Sequence, residues 1–156
     1  MEVLQQELLS SLPSAEQAVR VVLRLLVAAA LTGVIGYERE ASGKSAGLRT
    51  HMLVGLSCAT FVLAPLEAGM GLADTSRILQ GVCAGIGFIG AGAILKAANE
   101  REIQGLTTAA GVWMAAAVGI AAGLGRFGVA LFAVLFSWLI LTLLNRLNPG
   151  GTGPRH

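Results

Sequence analysis

Five long apolar runs, separated by short charged or glycine-containing stretches, set the architecture of this chain. They cover roughly residues 20–37, 50–68, 78–96, 107–124 and 127–145, each about the length of helix that crosses a bilayer. The pattern predicts an all-α polytopic membrane protein, a compact bundle of five transmembrane helices. Ser14 can cap the first helix, with Gln17 three residues on completing a capping box. Asp74 is placed to cap the third. Gly125-Arg126 leaves almost no loop between the fourth and fifth spans, so these two form an antiparallel hairpin. Upstream, Leu4, Leu8 and Leu12 recur every four residues before Pro13. That spacing predicts a short surface helix in an N-terminal interfacial segment, 1–19. Residues 20–146 then form one membrane domain. Residues 147–156, rich in Gly and Pro, are expected to be a disordered tail.

Small residues fall in stripes along these spans. Gly81, Gly85, Gly87, Gly90 and Gly92 crowd the third, and Gly81 and Gly85 have the G-x-x-x-G spacing that lets helix backbones touch. Thr107, Gly111, Ala115, Gly119 and Gly123 recur every four residues in the fourth, and Ala29, Gly33 and Gly36 line the first. These positions predict helix-packing faces. A bundle this short has little interior of its own, which favours a homodimer. The fifth span, with Phe127, Phe132, Phe136 and Trp138, is bulky all round and belongs at the lipid-facing periphery.

Composition agrees with a membrane protein: 54% of residues are apolar and 13% charged, against about a quarter charged in soluble domains. With a net charge of +2 and no basic stripe, nucleic acid is not an expected partner. Membrane lipid is. Glu2 and Glu7 stand where a secretory signal would be basic, so the N-terminus does not read as one. With the N-terminus outside, Arg39, Lys44, Arg49, Lys96, Arg101, Arg146 and Arg155 fall inside, against Arg20, Arg24, Arg77 and Arg126 outside. The bias predicts an N-out/C-in orientation. Arg24 lies about one turn into the first span and is expected to snorkel to the near surface.

Candidate chemistry is sparse. Gly85, Gly87 and Gly90 spell G-x-G-x-x-G, but no strand precedes them and the run continues as a span. Gly43-Lys44-Ser45 ends like a P-loop, but Glu38 stands where that motif needs its first glycine. Cys58 and Cys83 have no metal-ligand or redox spacing and read as packing residues. His51 has no second ligand at a metal-binding spacing and reads as an interface or hydrogen-bonding histidine. No nucleophile and base can be paired, so neither enzymatic activity nor a cofactor is expected, and any metal site is left unknown. No carboxylate lies at mid-membrane, where a side-chain ion path would need one, although a broken glycine-rich helix could offer carbonyls. What remains is an inner-face cluster: Glu38, Arg39, Arg49, Thr50, His51, Thr107 and Thr108. There Glu38 is expected to pair with Arg49 or Lys96, leaving Arg39 or Arg49 free for an anion or a partner. Ordinary interface anchoring is the plainer account of the same charges.

Three blocks, taken together, resemble the MgtC/SapB family of bacterial inner-membrane proteins. They are Gly33-Val34-Ile35-Gly36-Tyr37-Glu38-Arg39 with Gly47-Leu48-Arg49-Thr50-His51-Met52-Leu53-Val54, then Gly85-Ile86-Gly87-Phe88-Ile89-Gly90-Ala91-Gly92, then Gly105-Leu106-Thr107-Thr108-Ala109-Ala110 followed by Trp113 and Gly119. The resemblance implies a five-span membrane domain, a link to growth in scarce magnesium and, in pathogens, to virulence through survival in host phagocytes. It also implies restraint of the ATP synthase as one family activity. Many MgtC-type members carry a soluble domain after the last span; this sequence is similar to the shorter SapB-like form. The expected function is regulation through membrane-protein interactions, with transport of an ion or small solute as the alternative.

Overall fold

The computed structural model describes residues 1, 13–97 and 104–147, so the expected surface helix before Pro13 and nearly all of the tail lie outside the described residues. Five helices follow in chain order: α1 Ala15–Ala41, α2 Leu48–Glu67, α3 Leu72–Ala97, α4 Leu106–Gly123 and α5 Phe127–Leu147. The first four are long and apolar enough to cross a membrane. α5 has 21 residues, about 32 Å at 1.5 Å each, close to the thickness of the hydrocarbon core.

Helix ends follow local chemistry. The Ser14 hydroxyl accepts the Gln17 N–H at 3.2 Å while the Gln17 side chain accepts the Ser14 N–H at 2.9 Å, so α1 starts at Ala15, at the expected capping box and ahead of the apolar span. Asp74 is not the cap of α3: the helix begins at Leu72, and Asp74 lies in its first turn. A carboxylate there still favours the helix dipole. The α4–α5 hairpin turns at Gly125, whose φ of 73° is the left-handed conformation that glycine adopts without a side-chain penalty.

α4 is the hub. It touches all four other helices, and more than half of its apolar stretch is buried. The α2–α4 contact is backbone on backbone. A Cβ at Gly119 would stand 2.8 Å from Gly55 Cα and closer still to the Gly55 carbonyl oxygen; at Gly123 it would stand 2.8 Å from the Ala59 carbonyl oxygen. On the other side of α2, a Cβ at Gly36 of α1 would meet Leu48 Cα at 2.8 Å and His51 Cβ at 2.9 Å. α2 is thus sandwiched between glycine faces of α1 and α4. Ala28, Ala59 and Ala122 are fully buried in the same sandwich.

The α3 glycines do not act as one face. Gly90 meets α4, 3.6 Å from Ala109 Cβ and 3.7 Å from Trp113 Cδ1 by its missing Cβ, but Gly81, Gly85, Gly87 and Gly92 have nothing within 4 Å of theirs. Geometry explains the split. At about 100° per residue, Gly81 and Gly90 point to opposite sides of the helix. The buried side carries Ile86 and Gly90, while Phe88 is 82% exposed. α5 packs on α1 and α4 through Ala130 and Val134 and turns Phe132, Phe136, Leu139 and Leu143 outward.

Candidate functional site

The end of α1, the start of α2 and the start of α4 converge on a buried polar cluster. Glu38 is 8% exposed, Arg39 2%, His51 0% and Thr108 3%. Arg39 Nε donates to Glu38 Oε2, Arg39 Nη2 is ion-paired with the same oxygen, and Ser42 Oγ donates to Oε1 at 2.9 Å. The expected pairing of Glu38 with Arg49 or Lys96 is therefore corrected. The carboxylate is engaged within its own helix, Arg49 is exposed, and the Lys96 side chain lies outside the described residues. Adjacent helical residues normally point about 100° apart. This pair forms because both groups are buried, and a buried charge without a partner costs several kcal/mol.

His51 lies in the first turn of α2. Its Nδ1 is 2.9 Å from the Gly47 carbonyl oxygen, an acceptor, which places the ring proton on Nδ1 and leaves the Nε2 lone pair outward. Nε2 is buried and has no hydrogen-bond partner among the described residues. It faces Gly111 of α4, where a Cβ would come within 3.1 Å of Nε2 and 3.8 Å of Arg39 Cδ. Gly36 therefore gives way to the His51 Cβ from one helix and Gly111 to its imidazole from another, beside the Arg39 stem. Gly111 thus makes room for a side chain, whereas Gly119 and Gly123 meet backbone.

The other predicted positions separate from this centre. Thr50 is half-buried, and Thr107 is exposed on a crevice of about 230 Å³ between α4 and α5 that Ser137 also lines. Two contributors were not among the expected site residues. Glu40 Oε2 accepts the Leu48 N–H at 2.8 Å and caps α2, whose own cap residue, Gly47, offers no side chain. Ser42 orders the Glu38 carboxylate. A carboxylate close before a helix start that lacks a capping side chain was the available signal for Glu40.

Gly81 and Gly85 contribute elsewhere. They line an apolar groove of about 640 Å³ between α2 and α3, with Leu53, Cys58, Phe61 and Ile86 among its walls.

Among the described residues, no group of three or more His, Cys, Asp or Glu side chains is arranged to hold a metal. The MgtC family model matches residues 25–149, from α1 through the end of α5, and so takes in the whole cluster. The chain belongs to the MgtC family. It is 39% identical over 135 residues to YhiD of Escherichia coli, a protein named provisionally as a magnesium transporter, covering 81% of this chain and 61% of YhiD. SrpB of Synechococcus elongatus is 39% identical over 136 residues, covering 80% and 75% of the two chains. MgtC of Salmonella typhimurium is 39% identical over 114 residues, covering 73% and 48%. This MgtC-family chain thus spans about three fifths of YhiD and about half of MgtC. No solved structure matches it.

Proposed function

We propose that this membrane protein serves magnesium homeostasis as a regulator, by docking a partner's transmembrane helix in the groove between α2 and α3. The observation that carries this reading is the groove itself, where Gly81 and Gly85 offer backbone with open space beside it among the described residues. Small residues are what membrane helices use for close association. A second copy of the chain is the favoured first occupant, and another membrane protein such as the ATP synthase is the alternative. Family membership supports a bacterial inner-membrane setting, and the Lys and Arg count favours the Glu38 end inside.

The test is Gly85→Leu, whose Cβ meets open space and whose branched end occupies the groove. We expect the variant to accumulate and melt like the parent, within about 0.5 kcal/mol, while losing the crosslinked species the parent forms in membranes. Unchanged crosslinking would assign the groove to lipid and remove the reading.

A second reading is favoured by the buried Glu38–Arg39 pair and the unpartnered Nε2 of His51, because ionisable groups within a membrane bundle commonly mark a transport path. The name given to YhiD points the same way. Against it, magnesium requires near-octahedral oxygen coordination, and both Glu38 oxygens are engaged. Purified protein in liposomes should show magnesium flux at background; flux above background that His51→Phe abolishes would establish transport instead.

A further inference from the structure

The opposite end of the bundle holds a second polar feature. Arg20 and Arg24 of α1, Leu66 and Glu67 at the end of α2, and Leu124 and Arg126 at the α4–α5 turn enclose a recess of about 440 Å³. Arg24 does not simply snorkel to the surface, as its position suggests. Its Nη1 donates to the Gly123 carbonyl oxygen at 2.9 Å, across 99 residues of sequence. The bond satisfies an orphan carbonyl in the last turn of α4, and it uses one of the five N–H donors of the guanidinium. The Gly125 backbone makes room: a Cβ there would stand 2.9 Å from Arg24 Nη2. The group is therefore fixed in place.

Charge in the recess is unbalanced. Three guanidinium groups from two separate parts of the chain face one carboxylate, Glu67. Arg20 also contacts Glu16 at 3.2 Å, but both side chains are largely solvent-exposed, and such surface pairs hold a guanidinium weakly. The N-terminus of α5, beginning at Phe127, adds its positive dipole end beside Arg126. Depth points the same way. Arg20 and Glu38 lie 18 positions apart on one helix, about 27 Å, close to the thickness of the hydrocarbon core. If the Glu38 cluster marks one membrane interface, the recess sits at headgroup depth on the other.

We propose that this recess binds a phosphate group, with Arg24 as its fixed donor and Arg20 and Arg126 closing on it from the rim. Guanidinium forks match phosphate oxygens geometrically as well as in charge. The phosphate could belong to an anionic lipid headgroup or to a free anion.

The experiment is native mass spectrometry of the delipidated full chain with added phosphatidylglycerol or phosphatidylcholine. We expect phosphatidylglycerol to be retained and phosphatidylcholine, whose choline cation the arginines repel, to be lost. Arg20→Gln and Arg126→Gln should each reduce retention about tenfold, the worth of one charge-assisted hydrogen bond. Neither side chain holds the helices together, so melting should not change. Arg49→Gln, at the other end, should retain the lipid like the parent. Competition by millimolar inorganic phosphate would assign the site to the free anion, and its failure would assign it to lipid. Equal retention of both lipids, or retention unaffected by both arginine substitutions, would overturn the proposal.

Discussion

Gly119→Ala is expected to lower the stability of the purified protein by about 3 kcal/mol, at the upper end of overpacking costs, and Gly119→Leu to leave no folded protein. The size of the effect follows from what the added carbon meets. It falls on the Gly55 backbone, 2.8 Å from Cα. Backbone cannot rotate away as a side-chain tip can, so α2 and α4 must separate. Separation also breaks the Gly123–Ala59 approach and unpacks the buried alanines around it. Denaturant titration of the detergent-solubilised protein measures the loss. Gly85→Ala is the paired control: with open space around it and a gain in helix propensity of about 1 kcal/mol over glycine, it should be neutral or stabilising. A neutral Gly119→Ala would mean that α2 and α4 do not meet through these glycines.

The second large effect concerns the buried ion pair. Arg39→Met should cost about 3–5 kcal/mol, because it strands the Glu38 carboxylate where water does not reach. Glu38→Gln alone should cost less, since the amide oxygen can still accept from Arg39 while the amide N–H donates to the Ser42 hydroxyl. The double variant Glu38→Gln/Arg39→Met should recover a large part of the Arg39→Met loss, because no charge is then left buried. A double-mutant cycle reads the coupling directly. If each single change cost less than about 0.5 kcal/mol, in the range of an exposed pair, the two side chains would be solvated.

Much of this molecule is legible in its sequence, and the parts that are not share a cause. Apolar run length places all five helices, and Ser14 with Gln17 reads as a capping box because its partners are three residues apart. The four-residue spacing of Gly111, Ala115, Gly119 and Gly123 gives a face. It does not say that Gly111 accommodates an imidazole while Gly119 meets a backbone, because that depends on which residues of α2 arrive opposite. The α3 glycines divide for the same reason: five of them within twelve residues must point in several directions, and among the described residues Gly90 is the one that meets α4. Arg24 looks like an anchor because its acceptor lies 99 residues away. The Glu38–Arg39 pair is hidden by rules for exposed helices, under which neighbours in sequence do not face each other. The location of the candidate cluster, where the first and third family-type blocks meet, is readable; its internal bonding is a property of the packed state.

The position of α4 has a consequence in time. The chain is made from its N-terminus, so the helix that touches every other is the fourth to be made. Until it inserts, Gly55 and Ala59 present their backbone to lipid, and His51 has Gly36 on one side and no Gly111 on the other. A nascent chain halted before Leu106 therefore holds α1 and α2 packed on one another, with no α4 on the other face of α2. The polar cluster is complete only once α4 is in place, and α5 has then still to pack on α1 and α4.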